Sequence, residues 1–130
     1  MPKLGLIGKD ISYSFSKAYF TTKFENEELP FFYENFDIKD ISQFKNVLKN
    51  NPDLLGLNVT IPYKEQIIPY LDSLSKRAEK IGAVNTIKIA SDKTLKGYNT
   101  DYYGFKKSIK PFLKPHHKKA LILGTGGASK

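Results

Sequence analysis

Apolar residues recur along this chain in short blocks whose spacing changes from one block to the next. Leu4-Gly-Leu-Ile-Gly8 is an apolar run closed by glycine, the pattern of a buried strand. Ala18, Phe20 and Phe24, with Glu25 to Glu28 behind them, predict a helix that Pro30 ends. The aromatic-rich stretch Phe31 to Phe36 reads as a second strand. Asp40-Ile-Ser-Gln43 has the form of a capping box, with Ile41, Phe44, Val47 and Leu48 following at helical spacing. Leu54 to Val59 predicts a third strand, and Pro62 suits the first turn of a helix, where a missing N–H costs nothing. Leu74, Ala78 and Ile81 predict a further helix stopped by Gly82. Ala83 to Ile89 and Leu95 to Tyr98 bracket Ser91-Asp-Lys-Thr94, which predicts a hairpin. Tyr102, Phe105, Ile109 and Phe112 stripe a last helix that Pro115 closes, and Ala120 to Leu123 reads as a strand running into Gly124.

Strands alternating with helices predict an α/β fold: a three-layer α/β/α sandwich on a mostly parallel sheet, with the hairpin as an antiparallel edge. At 130 residues the chain is expected to hold one full domain, with Lys114-Pro-His-His-Lys118 as a candidate linker. The absence of cysteine rules out disulfides, thiolate chemistry and Cys-based zinc sites, and two histidines argue against a multi-His metal centre. His116 and His117 are neighbours on an exposed linker, where solvated side chains are the simpler reading, so no metal is expected. No apolar run approaches the roughly 18 residues of a spanning helix and no signal-peptide pattern opens the chain, so a soluble, cytoplasmic protein is expected, with no membrane partner.

Charge is uneven. Residues 1–63 carry seven Lys against eight acids, whereas residues 64–130 carry fourteen basic residues against five acids. A basic half attracts anions: carboxylates, phosphates or nucleic acid. Twenty of the twenty-one basic residues are Lys, and Arg77 stands alone. Specific base and phosphate recognition leans on the Arg fork, so no nucleic-acid partner is expected.

Polar clusters fall where strands end or helices begin, the place where open α/β sheets bind ligands. Alternate hydroxyls in Ser12-Tyr-Ser-Phe-Ser16 suit a carboxylate or polyol, or else one serine caps the next helix. In Asn58-Val-Thr-Ile-Pro-Tyr-Lys64, Val59 and Ile61 are expected to face the core, with Asn58 and Thr60 on the other side. Lys64 then sits in a first helical turn, against the helix dipole, either solvated or placed there for use. Asn85, in Gly82-Ala-Val-Asn-Thr86, interrupts an apolar strand; a buried amide needs either a structural partner or a ligand. Gly97-Tyr-Asn-Thr-Asp101 offers Thr100 or Asp101 as an N-cap, or a carboxylate to hold Lys64. Gly124-Thr-Gly-Gly-Ala-Ser-Lys130 has the closely spaced glycines of a dinucleotide phosphate loop, although Ser129 takes the place of the last glycine; the alternative is a flexible tail.

Taken in order, Ser14-Phe-Ser16, Asn58-Val-Thr-Ile-Pro-Tyr-Lys64, Gly82-Ala-Val-Asn-Thr86, Gly97-Tyr-Asn-Thr-Asp101 and Gly124-Thr-Gly-Gly-Ala-Ser-Lys130 resemble the shikimate dehydrogenases. The resemblance implies a substrate-binding domain over residues 1–101, a connecting helix and linker over 102–118, and the first strand and glycine loop of an NADP-binding Rossmann domain over 119–130. It implies Ser14 and Ser16 at the shikimate carboxylate, and Thr60, Asn85 and Asp101 at the ring hydroxyls, with Asn58 and Thr100 in support. Lys64 becomes the catalytic acid/base, paired with Asp101. Gly124, Gly126, Gly127 and Ala128 become the cofactor loop. Two positions depart from the family pattern: Tyr13 stands where a His is usual, and Lys17 where a Pro is usual. The implied activity is the reversible, NADPH-dependent reduction of 3-dehydroshikimate to shikimate in aromatic amino-acid biosynthesis. This chain supplies the substrate site and is expected to be inactive alone, as a monomer or homodimer. The alternatives are a quinate/shikimate dehydrogenase and a non-catalytic shikimate-binding module.

Overall fold

A computed structural model describes all 130 residues. Its frame is one six-stranded sheet built from β1 (Lys3–Gly8), β2 (Phe32–Asp37), β3 (Leu54–Val59), β4 (Ser73–Leu74), β5 (Thr86–Ile89) and β6 (Leu95–Tyr98). The strand order is β2-β1-β3-β5-β6-β4. β1 runs parallel to both β2 and β3, and β4 runs parallel to β6, while β5 is antiparallel to both of its neighbours. The sheet is therefore mostly parallel, as expected, with its one reversed strand inside rather than at the edge. The two-residue strand β4 takes the edge position beyond the hairpin. Leu74, expected on a helix with Ala78 and Ile81, belongs to β4 instead.

Helix α1 (Phe15–Asn26) covers one face of the sheet, over β1 and β2. Phe24, Leu6, Ile11 and Tyr33 are buried there, and the Phe20 ring stacks on Tyr33 at 4.8 Å between centroids. The helix ends four residues before Pro30, and Glu28 adopts the left-handed conformation (φ 52°) that turns the chain back. Helices α2 (Phe44–Asn50), α3 (Tyr63–Gln66) and α4 (Lys76–Ile81) cover the opposite face. Phe44, Tyr63, Ile67 and Ala78 pack there on Ile7, Leu57, Val59 and Ile87, which completes three layers. The Asp40–Gln43 capping box forms and starts a 3-10 turn that leads into α2. Tyr63 donates from its phenol to the Ile38 carbonyl at 2.6 Å, tying α3 to the end of β2. Ile61 is exposed, contrary to expectation, because the strand ends at Val59 and the chain turns through Ile61-Pro62.

Helix α5 (Asp101–Ile109) leaves the sheet and exposes its stripe: Phe105 and Phe112 are 66% and 74% accessible. Residues 120–123, read from the sequence as a strand, are in extended chain outside the sheet. A strand needs a partner ladder, and the sheet's edges are β2 and β4. Leu121, Ile122 and Leu123 instead lie exposed across a groove from Tyr102, Phe105 and Ile109 of α5. In the linker, His117 Nδ1 accepts the Lys114 N–H at 3.1 Å and closes a turn. No helix is long and apolar enough to cross a membrane.

Two outcomes follow from this packing. Phe44→Ala is expected to lower stability by about 3–5 kcal/mol in urea unfolding, because Phe44 is fully buried. Phe105→Ala is expected to stay within about 0.5 kcal/mol. Burial also pushes the Tyr33 phenol well above its ordinary value of 10.0, with the nearby Ser16 hydroxyl opposing the shift. The folded state thus favours the neutral phenol. Its contribution is complete below about pH 10 and is lost as pH rises beyond that. Between about pH 9 and about pH 11 the urea midpoint should fall more steeply for the wild-type chain than for Tyr33→Phe.

Candidate functional site

The ends of β1, β3 and β6 and the entry into β5 surround a pocket of about 260 Å³. That is slightly below the roughly 300 Å³ at which drug-sized pockets begin, so it suits a small ligand. Ser14, Ser16, Asn58, Thr60, Lys64, Asn85 and Asp101 line it, together with Leu6, Phe20 and Val59. Seven of the eight residues expected at the substrate thus meet in one place. The eighth, Thr100, stands behind Asn85 and bonds to it twice. Asn85 Nδ2 donates to Thr100 Oγ1 at 2.7 Å, and the Thr100 N–H donates to Asn85 Oδ1 at 2.8 Å.

Each side chain is placed by local structure. Ser14 caps α1, its hydroxyl accepting the Ser16 N–H at 3.3 Å, and the same residue lines the pocket. Asn58 is the penultimate residue of β3 and pairs across the ladder with Thr86. Lys64 lies in α3, where its carbonyl accepts the Val84 N–H at 2.7 Å and joins that helix to the Gly82–Thr86 segment. Asp101 opens α5, where a carboxylate complements the helix dipole. Neither Thr100 nor Asp101 is spent as a cap. Asn99 does that work: its Oδ1 accepts the Tyr102 N–H at 3.0 Å while its Nδ2 donates to the Ala83 carbonyl at 3.1 Å.

Lys64 Nζ and Asp101 Oδ2 are 2.6 Å apart. The lysine side chain is 15% accessible and the aspartate 50%, so the ion pair opens to solvent on its acidic side. This excludes the reading of Lys64 as a freely solvated cation. The arrangement is a primary amine held by a carboxylate beside a wall of hydroxyls and amides. It can bind a polyhydroxylated acid and can pass a proton to or from a ligand oxygen.

The glycine segment stands apart from this. Gly127 lies so close to the Lys64 stem that a Cβ added there would come within 2.7 Å of Lys64 Cβ. Residues 127–129 make a single 3-10 turn, with Ser129 N–H donating to the Gly126 carbonyl at 3.0 Å. Gly126, Gly127 and Ala128 thus form or adjoin a turn beside the pocket, with Gly124 just before it.

Three contributors escaped the sequence reading: Tyr33, Thr86 and Asn99. The Tyr33 phenol donates to Asn58 Oδ1 at 2.9 Å, and Thr86 bridges Asn58 and Asn85. The run Gly82 to Thr86 was visible, but its threonine becomes informative only once the β3–β5 register is known.

Comparison with known proteins agrees with this geometry. The family model described as the shikimate dehydrogenase substrate binding domain matches residues 6–87. The chain is 47% identical over 130 residues to a shikimate dehydrogenase (NADP(+)) of Clostridium botulinum, covering 97% of this chain and 49% of that protein. It is 42% identical to the one of Methanococcus vannielii, covering 98% of this chain and 45% of that one. Among solved structures, shikimate dehydrogenase 1 from Peptoclostridium difficile superposes with a TM-score of 0.89 at 43% identity, over 99% of this chain and 49% of that one. The Thermus thermophilus shikimate 5-dehydrogenase in complex with shikimate gives a TM-score of 0.86 at 34% identity, with the same coverage. The chain spans about half the length of the curated relatives it matches. With the family model covering most of the chain and the pocket assembled from the family's blocks, this protein belongs to the shikimate dehydrogenases, through their substrate binding domain.

Proposed function

We propose that this chain binds shikimate and 3-dehydroshikimate and carries the proton-transfer half of a shikimate dehydrogenase reaction. The observation that carries this reading is the 2.6 Å contact between Lys64 and Asp101 inside a pocket lined by serine and threonine hydroxyls and two amides. A relative binds shikimate in its solved complex, and other relatives are named for NADP(+).

In this reading Ser14 and Ser16 donate to the ligand carboxylate, and Thr60, Asn58 and Asn85 meet its ring oxygens. Asp101 accepts from a ring hydroxyl and holds Lys64 in place. In the oxidising direction the neutral amine of Lys64 takes the hydroxyl proton as that carbon becomes a carbonyl. In the reducing direction the ammonium returns the proton to the oxygen. Positioning and this one transfer are what these residues supply. NADP is the redox partner we assign to the complete enzyme from its relatives and would take the carbon's hydride in oxidation and supply it in reduction; no step here depends on residues 124–128.

Calorimetric titration of the 130-residue chain with shikimate tests the binding. Saturable heat is expected, and Asn85→Ala is expected to weaken it at least roughly tenfold. No heat at millimolar shikimate would count against the site. The proton role is tested in an enzyme that joins this chain to a cofactor domain. There Lys64→Ala is expected to cost roughly 10²–10⁴ in turnover with little change in substrate affinity, and near-normal turnover would remove Lys64 from the mechanism.

A further inference from the structure

Thr86 does not line the substrate pocket, yet its hydroxyl lies between the two amides that do. It faces a neighbouring hollow on the α1 side of the sheet, which Tyr33 and Asn58 also line. Five side chains form a line behind the pocket wall. The Tyr33 phenol donates to Asn58 Oδ1 at 2.9 Å, and Asn58 Nδ2 donates to Thr86 Oγ1 at 3.4 Å. Thr86 Oγ1 donates to Asn85 Oδ1 at 3.2 Å, and Asn85 Nδ2 donates to Thr100 Oγ1 at 2.7 Å.

The direction of this line is dictated from one end. The Thr100 backbone N–H is only a donor and points at Asn85 from 2.8 Å, so the Asn85 atom facing it must be the oxygen. A hydroxyl has one proton. Thr86 commits its proton to that same oxygen and can therefore only accept from Asn58. Asn58 must present its nitrogen to Thr86, which leaves its oxygen for the Tyr33 proton. Flipping either amide would set donor against donor or acceptor against acceptor. Each amide has two N–H bonds and spends one on the line, so one N–H of each remains for the pocket. The strong acceptor among the residues lining that pocket is the Asp101 carboxylate.

We propose that Thr86 is a positioning residue that transmits to the Asn58 amide the orientation Thr100 imposes on Asn85, so that this wall offers N–H groups to ligand oxygens, with Tyr33 anchoring the far end. The inference deepens the substrate reading above and rests on it for the identity of the ligand, but not for the amide geometry. Thr86 acts through the two asparagines and touches no reacting atom.

The test uses the 130-residue chain as wild type, Thr86→Val, which removes only the hydroxyl, and Thr86→Ser, which restores it. The first readout needs no ligand: the mobility of the Asn58 and Asn85 side-chain NH2 groups by ¹⁵N relaxation. Wild type and Thr86→Ser are expected to hold both groups rigid, and Thr86→Val to free Asn58. Unchanged rigidity in Thr86→Val, or Thr86→Ser behaving like Thr86→Val, would overturn the proposal. If Thr86→Val does not fold, Thr86→Ala, which also removes the hydroxyl, takes its place: it must loosen Asn58, and unchanged rigidity there would overturn the proposal. The second readout is shikimate affinity, expected to fall roughly tenfold in Thr86→Val and to recover in Thr86→Ser. A wild-type chain that binds no shikimate would overturn the ligand reading alone, and the relaxation data would still decide the role of Thr86. Wild-type affinity in Thr86→Val, beside a wild type that does bind, would overturn the proposal.

Discussion

The antiparallel pairing of β5 with β3 is the constraint on which the site depends. It sets Asn58 opposite Thr86 and carries Asn85 to the rim of the same pocket. β6 then pairs with β5 and ends beside it, so that the next residues, Thr100 and Asp101, arrive from the other side. Segments separated by more than twenty residues thereby place their polar ends within hydrogen-bond reach. A sheet parallel throughout would not bring the start of one strand level with the ends of its neighbours.

Burial raises the stakes of that placement. Asn85 is nearly inaccessible, and an unpaired amide at such a depth costs about 1–3 kcal/mol. The network removes this cost before any ligand arrives, because both its oxygen and one N–H are already used inside the protein. The same bonds limit what the wall can offer to a ligand. The pocket is thus ordered by its own polar satisfaction, and the Lys64–Asp101 pair is its one charged element.

Outside the pocket the physics differs. α5 and residues 121–123 present apolar side chains to each other across an open groove and bury few of them. The strength of this fold lies in the sheet and the helices on its two faces, and α5 is held mainly at its start. There Asp101 meets Lys64, Asn99 reaches back to Ala83, and the Arg77 guanidinium lies 4.1 Å from the centre of the Tyr102 ring. The excess of lysine in the second half of the chain includes Lys64, whose charge belongs to the site rather than to the solvated surface.

Local chemistry written in the sequence was enough for several features. Hydrophobic spacing marked the principal strands and helices, and Asp40 and Gln43 announced their capping box. Those signals depend on neighbours a few residues away, which is why they can be read from the chain, whereas the residues that line the pocket were singled out by the resemblance of the ordered polar blocks to a family, each block by itself fitting a cap or a solvated side chain as well. Other features depend on partners far along it. The interior place of β5, the two-residue strand β4, the capping role of Asn99 and the bridge made by Thr86 all require the sheet order and register. Residues 120–123 show the limit from the other side: their pattern is that of a strand, but a strand forms only where another offers its hydrogen bonds, and none does so here.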